Sequence, residues 1–248
     1  MLEITDLTVR RKSFTLENIT ANIKPHSLTV ILGKNGSGKS TLISAIDQSV
    51  NYEGTIKYLN KDLKTLTERE RATIVSIMPQ HLKSPPFSVN DLVSFGRNPY
   101  LDFAGRLNKL DVERINYALE TTGAVNYKNK LVTQVSGGEK QLAYLAMALC
   151  QDARIMVLDE PTAFLDVDKE NEFLNVLKNE VKTHKKTAII TMHNVTQALR
   201  YADSVMILNN GKLEFFGSKE NAVSSGVIER IFNVTHSMVN GINVYLAK

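Results

Sequence analysis

The stretch GKNGSGKST, Gly33 to Thr41, decides which fold to expect. It matches the pattern G-x-x-x-x-G-K-[ST] and follows a compact apolar run, Ser27 to Gly33, which is typical of a buried strand. A helix is predicted directly after it, from about Lys39 to Ala45. The glycines allow consecutive backbone N–H groups to face a phosphate at a helix N-terminus, where the helix dipole also favours anions. The sequence therefore predicts a phosphate-binding loop.

The side chains of this loop have expected roles as well. In this pattern Lys39 reaches the β and γ phosphates of a nucleotide, and the Ser40 hydroxyl holds Mg²⁺. The residues predicted to contact the nucleotide are Gly33, Lys34, Asn35, Gly36, Ser37, Gly38, Lys39, Ser40 and Thr41.

A second candidate segment is IMVLDEP, Ile155 to Pro161, in which four apolar residues precede two carboxylates. This order is typical of a central strand that delivers charge at its C-terminal end, where open α/β sheets bind ligands. Asp159 is expected to pair with Mg²⁺, directly or through water, and Glu160 to polarise an attacking water as general base. The alternative is an acidic strand end that makes surface contacts, and the neighbouring phosphate loop argues against it.

The stretch VSGGEKQ, Val135 to Gln141, places two glycines where a helix is predicted to begin. Ser136 and Glu139, just before an apolar run, predict a capping box that opens an amphipathic helix. Capping leaves Gly137 and Gly138 unexplained, because each glycine in a helix costs up to about 1 kcal/mol relative to alanine. We infer that something requires bare backbone at these two positions.

Two further polar residues end predicted strands. His193 follows the run TAIIT, and Gln80 ends TIVSIMPQ. A lone histidine is usually structural, and a glutamine in this place means nothing by itself. His193 becomes a candidate because its strand is expected to lie beside the two described above.

The chain as a whole alternates strands with helices, which indicates parallel βαβ units. Residues 83–150 differ and are predicted to be an all-helical insertion. We therefore expect one domain, with a nucleotide-binding core formed by residues 1–82 and 151–248 and a helical subdomain formed by residues 83–150.

Composition narrows the class of protein. The 248 residues are 43% hydrophobic and 23% charged, as in ordinary soluble globular proteins, and the net charge of +4 is too mild to favour nucleic acid as a partner. Cys150, the single cysteine, is expected to be a buried thiol in a reducing compartment. No run approaches the roughly 18 apolar residues of a spanning helix, so the chain itself is not expected to cross a membrane.

Together these motifs, in this order, resemble the ATPase subunits of ATP-binding cassette transporters over almost the entire chain. The resemblance identifies the remaining segments as the Q-loop glutamine Gln80, the signature SGGEKQ from Ser136 to Gln141, the D-loop FLD that ends at Asp166 and the switch histidine His193. It implies an α/β P-loop NTPase (RecA-like) core with an antiparallel β edge and an inserted α-helical subdomain. It also implies ATP and Mg²⁺ as cofactors, with Ser40, Gln80 and Asp159 at the metal and Glu160, His193 and Gln80 in catalysis.

The same resemblance explains the two bare glycines of the signature. In this family the signature serine and glycines cap the γ-phosphate of ATP that is held by the other subunit of a head-to-tail homodimer, and Asp166 belongs to the same composite site. The expected partner is therefore a second copy of this chain.

A subfamily is indicated by SFGRNPY, Ser94 to Tyr100. It resembles the G-R-x-P stretch of the ATPases that serve binding-protein-dependent importers of iron-siderophores, haem and vitamin B12, and the C-terminal IERIFNV resembles their tail. This implies import of such a chelate through a separate integral membrane permease, fed by a periplasmic or lipid-anchored substrate-binding protein. The chain is then expected at the cytoplasmic face of the membrane, as a peripheral subunit.

Two departures from the family pattern leave alternatives open. The aromatic residue that stacks on adenine would align near Arg11, with Phe14 close by, so either residue is a candidate. The run QLAYLAMAL after the signature lacks the usual arginines.

The competing functions are a soluble cassette ATPase of the iron-sulfur assembly type and a nucleotide-dependent clamp without turnover. Glu160 argues against the clamp.

Overall fold

The structure is a computed structural model that describes residues 1–102, 104–163 and 165–247, so Phe164 of the FLD segment lies outside the described residues. The strands are β1 (Leu2–Arg11), β2 (Phe14–Ile23), β3 (Leu28–Leu32), β4 (Glu53–Tyr58), β5 (Lys61–Asp62), β6 (Val75–Met78), β7 (Ile155–Leu158), β8 (Thr187–Thr191), β9 (Ser204–Asn209), β10 (Lys212–Ser218), β11 (Val234–Val239) and β12 (Ile242–Ala247).

The helices are α1 (Lys39–Ile46), α2 (Glu68–Ile74), α3 (Val89–Ser94), α4 (Lys109–Thr121), α5 (Gly137–Cys150), α6 (Val167–Thr183), α7 (Val195–Tyr201), α8 (Lys219–Ser224) and α9 (Val227–Phe232). None of these helices is long and apolar enough to cross a membrane, within the residues that the structure describes.

Two compact units form the chain, and one of them comprises Met1–Thr65 together with the chain from Lys185 onward. At its centre β3 is buried along its whole length and pairs in parallel with β8 on one side and β9 on the other. Strand β10 continues this sheet antiparallel to β9. A separate antiparallel sheet has the order β2-β1-β4-β5. Parallel strands flanked by helices, with an antiparallel sheet beside them, are the arrangement that the sequence predicts.

The C-terminal part of this unit is a pair of short helices and a hairpin. The predicted tail segment IERIFNV begins within α9, which ends at Phe232, and Asn233 then reverses the chain with a φ of 56°. Strands β11 and β12 pair antiparallel, and the backbone N–H of Tyr245 donates to the hydroxyl of Thr196 at 3.2 Å, which attaches the hairpin to α7.

The second unit comprises Leu66–His184. It contains the parallel pair β6 and β7 and the helices α2 to α6, so the predicted helical segment 83–150 lies within it. Capping boxes open four of its helices, with the N-cap residues Thr67, Ser88, Asn108 and Ser136. Side-chain capping satisfies the backbone N–H groups that a helix start leaves without intrahelical partners.

Cys150 ends α5 and is buried, as predicted. Burial raises the pKa of its thiol to about 12. Strand β6 begins later than the predicted run TIVSIMPQ. It starts at Val75, because the residues before it belong to α2, which the Thr67 capping box starts.

Candidate functional site

The predicted phosphate loop follows β3 and folds tightly on itself. A Cβ atom at Gly33 would clash with the Ser37 hydroxyl and would lie 2.5 Å from the carbonyl oxygen of Leu208, so no side chain fits there. The backbone N–H of Ser37 donates to the Lys34 carbonyl at 3.1 Å and closes the turn. Gly36 and Gly38 have φ angles of 76° and 109°, the left-handed region that favours glycine.

Lys39 is buried at the base of this loop, with 5% of its surface exposed. Its ammonium group donates to the Gly33 carbonyl at 2.9 Å and lies 3.4 Å from the Lys34 carbonyl oxygen. The backbone of the loop thus holds a buried cation at the point where a phosphate chain is expected.

Ser37 supplies a direct test of whether the loop fits a phosphate. Its hydroxyl oxygen is buried and finds no hydrogen-bond partner among the described residues. Buried hydroxyls are normally paired, and a missing partner at a functional site indicates a ligand or an ion that fills the place. A phosphate oxygen would accept from this hydroxyl.

The first turn of α1 also favours an anion. Its N-cap residue is Gly38, which has no side chain to accept from the first-turn N–H groups. Ser40 in this turn is exposed, whereas Thr41 is buried. A helix start without side-chain capping keeps its N–H groups available for phosphate oxygens.

Phe14 is the aromatic residue that the structure brings to this loop. A Cβ atom on Gly38 would lie 3.0 Å from the Cζ atom of Phe14 and 2.8 Å from the Cδ1 atom of Leu16. Arg11 pairs with Phe14 at the end of the β1–β2 hairpin and is exposed. Both candidates for the adenine contact therefore lie at this hairpin, and the Phe14 ring is the one beside the start of α1.

His193 lies at the same end of the parallel sheet as the phosphate loop. Ile31 of β3 pairs with Thr191 of β8, and the backbone N–H of Met192 donates to the Ile31 carbonyl at 3.2 Å. The chain therefore reaches His193 where the neighbouring strand reaches Gly33. The histidine is exposed and stands next to Asn194, the N-cap residue of α7.

In the second unit the structure brings Gln80 and Glu160 together. Met78 of β6 pairs with Leu158 of β7, and the backbone N–H of Asp159 donates to the Met78 carbonyl at 2.9 Å. The Gln80 amide donates to the Glu160 carboxylate at 2.6 Å. This contact was not predicted from the sequence, which placed each residue at a strand end without pairing them.

The two carboxylates of this segment have different surroundings. Asp159 is buried, with 6% of its surface exposed, whereas Glu160 is half-buried. Glu160 has a φ of 48°, and a non-glycine residue in this region carries backbone strain that is often found at functional sites. The strand end thus presents one shielded and one accessible carboxylate.

The predicted capping box at the start of α5 is confirmed. The Glu139 N–H donates to the Ser136 hydroxyl at 3.2 Å, and the Ser136 N–H donates to the Glu139 carboxylate at 2.8 Å. That backbone hydrogen bond is the main reason why the pKa of Glu139 lies below its ordinary value. The serine and the glutamate of the signature are therefore explained within one chain.

The two glycines of the signature differ from each other. Apart from its chain neighbours and the backbone of its own helix, a Cβ atom at Gly137 would have no heavy atom of the described residues within 4 Å, whereas at Gly138 it would lie 3.3 Å from the Cδ2 atom of Leu165. Packing within the described part of the chain therefore explains the absence of a side chain at Gly138 and does not explain it at Gly137.

Asp166 has a local role in the structure. Its carboxylate accepts from the backbone N–H of Lys169 at 2.8 Å and caps α6, and the residue is exposed. Its predicted D-loop role stays a prediction.

Gln141 was not among the site residues predicted from the sequence. Its amide donates to the Ala163 carbonyl at 2.7 Å and links the signature helix to the segment that leads to Asp166. Its amide oxygen, Oε1, is buried and has no hydrogen-bond partner in the described part of the chain. Gln141 also lines a cavity of about 250 Å³, together with Gln80 and Gly137. Its position as the last residue of VSGGEKQ was the feature of the sequence that could have indicated it.

Comparison with protein families and sequences agrees with this geometry. A family model described as ABC transporter matches residues 16–163. The petrobactin import ATP-binding protein FpuC of Bacillus anthracis is 33% identical over 230 residues, which are 92% of this chain and 85% of that protein.

Solved structures agree on the fold. A chain of a transporter described as of the metal-chelate type, in an inward-facing conformation, matches with a TM-score of 0.85 at 23% identity, over 100% of this chain and 98% of that one. A dimeric ATP-binding cassette bound to ADP and phosphate matches with a TM-score of 0.78 at 22% identity, over 88% of this chain and 99% of that one. The predicted fold class, an α/β P-loop core with an antiparallel sheet and added helices, is confirmed.

Proposed function

Because this chain belongs to the ABC transporter family and is one of its ATPases, we propose that it hydrolyses ATP to drive import of a metal chelate through a separate membrane permease. The observation that carries the nucleotide part is the loop after β3, with its buried Lys39 and the Ser37 hydroxyl, which finds no hydrogen-bond partner among the residues that the structure describes. A phosphate oxygen of ATP would accept from the Ser37 hydroxyl, and the negative charge of the phosphates would be stabilised by the Lys39 ammonium group.

Mg²⁺ fits the donor set that the sequence predicts. Ser40 offers an exposed hydroxyl at the start of α1, Asp159 a carboxylate and Gln80 an amide oxygen, and hard cations prefer oxygen ligands. When bound, the ion neutralises charge on the phosphate oxygens. We assign these three residues to it.

Glu160 is the proposed general base. Its half-buried carboxylate takes a proton from the water that attacks the γ-phosphate, and the Gln80 amide, which donates to it at 2.6 Å, orients that carboxylate. His193, exposed at the end of β8, is the proposed polar contact to the γ-phosphate. Positioning and charge stabilisation supply most of the rate in phosphoryl transfer, so these roles require fixed geometry.

We propose that a second copy of this chain completes the site in a head-to-tail homodimer. Open space above Gly137 supports this, because a phosphate held by another chain could approach the bare backbone there. Ser136 and Asp166 are exposed and would face the same nucleotide. A cassette of the same fold, solved as a dimer bound to ADP and phosphate, is consistent with a dimer.

For the adenine contact, the position of Phe14 beside Gly38 favours its ring over Arg11 as the group next to the nucleotide. A guanidinium stacks on bases as well, so Arg11 at the adjacent hairpin end remains the second candidate.

The cargo class is proposed from three consistent indications. The stretch SFGRNPY resembles that of iron-siderophore, haem and vitamin B12 importers, one relative is named for petrobactin import, and one structural neighbour is of the metal-chelate type. An integral permease would hold the chain at the cytoplasmic face of the membrane, and a periplasmic or lipid-anchored binding protein would deliver the chelate.

The experiment that tests this proposal has two parts. The purified chain should hydrolyse ATP, and Lys39→Ala should abolish both nucleotide binding and turnover. Coexpression with a candidate polytopic permease of a metal-chelate importer should then give a stable complex whose ATPase activity responds to a chelate-loaded binding protein. Hydrolysis that survives Lys39→Ala contradicts the assignment of the loop, and copurification with soluble iron-sulfur assembly proteins would favour the alternative cassette ATPase.

A further inference from the structure

The stretch SFGRNPY, Ser94 to Tyr100, indicated the subfamily. The structure gives it contacts that have no part in the proposed function. Phe95–Tyr100 forms a 3₁₀ turn that lies directly on the last turn of α5. A Cβ atom at Gly96 would be 2.5 Å from the Met147 carbonyl oxygen and 2.9 Å from the Gln151 nitrogen. The glycine is therefore required for this close contact with the end of the signature helix.

Arg97 joins that helix end by hydrogen bonds. It is 3% exposed, its Nη1 donates to the Cys150 carbonyl at 2.8 Å, and its guanidinium lies 3.9 Å from the centre of the Tyr100 ring. The last carbonyls of a helix lack intrahelical donors and carry partial negative charge. Arg97 therefore caps α5 at its C-terminal end.

The same guanidinium fixes the start of α4. Its Nε donates at 2.9 Å to Asp111, which is 1% exposed, and the second carboxylate oxygen of Asp111 accepts from the Asn108 N–H at 2.9 Å. Asp111 is thus shared between the capping box of α4 and Arg97. One buried ion pair connects the end of α5 to the first turn of α4.

A second set of contacts connects this junction to the strand that leads to Gln80. The Gln151 amide donates to the carbonyls of Ala72 at 2.7 Å and Val75 at 3.0 Å, where α2 ends and β6 begins. Arg69 of α2 donates to the carbonyls of Pro99 at 2.8 Å and Leu101 at 2.7 Å. The end of α5 and the 3₁₀ turn packed on it are thus both hydrogen-bonded to the segment from α2 to β6.

We propose that Arg97 is a positioning residue that fixes the direction of α5, so that the signature at the opposite end of this helix meets the ATP of a second copy. The inference rests on the proposed function. At 14 residues α5 is about 21 Å long, so a tilt of about 5° at the Arg97 end moves the signature by about 2 Å. Misplacement by about 1 Å costs as much as about 10²-fold in rate.

The principal test variant is Arg97→Lys. It keeps a positive charge beside Asp111, but an ammonium group cannot replace the planar guanidinium that donates to both the Asp111 carboxylate and the Cys150 carbonyl. A second variant, Arg97→Met with Asp111→Asn, removes both charges and leaves no buried ion without its partner. Leu177→Ala is the control, because it removes a buried side chain from α6, a different helix of the same unit. The three variants are compared at equal fractions of folded protein.

Two readouts separate positioning from stability. In a Glu160→Gln background, the ATP concentration that gives half-maximal dimer should rise at least tenfold for both Arg97 variants and less than twofold for Leu177→Ala. ATP binding by the monomer should change less than twofold in all. An unchanged midpoint for the Arg97 variants, or an equal rise for Leu177→Ala, overturns the inference.

The second readout does not depend on dimer formation. Spin labels at Asn116→Cys on α4 and Thr133→Cys before α5 report the direction of the helix within one chain, and both positions are exposed. Arg97→Lys should shift or broaden their distance distribution by about 2 Å, the displacement expected from the length of α5, and Leu177→Ala should not. An unaltered distribution refutes the role of Arg97. Failure of the Glu160→Gln parent to dimerise with ATP would instead count against the proposed function.

Discussion

Replacing Gly137 by alanine should make the isolated chain more stable and lower its ATPase activity. Apart from its chain neighbours and the backbone of its own helix, no heavy atom of the described residues lies within 4 Å of the position of the new Cβ atom, and Gly137 is in the first turn of α5. A glycine-to-alanine change at a compatible position stabilises by about 0.4–1 kcal/mol. In a protein of this size that corresponds to a rise of roughly 1–4 °C in Tm.

The functional loss has a separate cause. In the proposed dimer the new methyl group occupies the space through which the partner's γ-phosphate approaches the backbone. We expect ATP turnover to fall at least tenfold, which corresponds to about 1.4 kcal/mol. Binding of ATP to the monomer should be unchanged, because the phosphate loop is not altered.

The assay is thermal unfolding without nucleotide, followed by steady-state ATP turnover on the same preparation. Gly138→Ala is the matched comparison, since its Cβ atom would press on Leu165 and should give no gain in Tm. Turnover within threefold of the wild type, together with a raised Tm, would refute the reasoning and leave the signature as a capping box alone. A fall in Tm for Gly137→Ala would refute the claim of open space.

Three further predictions concern single groups. Glu160→Gln should leave ATP binding intact and abolish steady-state turnover in a phosphate-release assay, and turnover within threefold of the wild type would remove Glu160 from the role of base. If Phe14 or Arg11 holds adenine loosely, GTP should compete well in side-by-side titrations, and a preference for ATP beyond about 1.4 kcal/mol, a factor of ten, would show a stronger base contact. Because burial raises the pKa of Cys150 to about 12, the native chain should resist alkylation at pH 8.5 and react once denatured, and fast reaction of the folded chain would contradict that burial.

Much of the fold could be predicted because its central strands are continuous apolar runs next to distinctive loops. The segments at β3, β7 and β8 are buried on every residue, and each was recognised from its composition. Strand β2 and the hairpin of β11 and β12 were not identified, because buried and exposed residues are mixed along them and their pairing is set by distant parts of the chain.

The site could be predicted where a residue type and its chain position define the chemistry, as for Lys39 and Glu160. It could not be predicted where the contact joins segments far apart in sequence. The hydrogen bond between Gln80 and Glu160 spans 80 residues, and the link from Gln141 to Ala163 depends on how a helix start meets a loop. Arg97 shows the same limit, since its motif suggested a subfamily and its contacts indicate a cap on the signature helix.

The most direct test of the central claim mixes two defective chains, in a Glu160→Gln background so that dimers persist. Lys39→Ala damages a chain's own phosphate loop, and Ser136→Arg damages the signature that it offers to a partner. Each chain alone should stay monomeric with ATP in light scattering. In a head-to-tail dimer of one of each, one composite site combines both defects and the other is intact. The account predicts that the mixture forms ATP-dependent dimers, while Ser136→Arg alone still binds ATP as a monomer. A mixture that remains monomeric, or a Ser136→Arg chain that loses ATP binding as Lys39→Ala does, would contradict it.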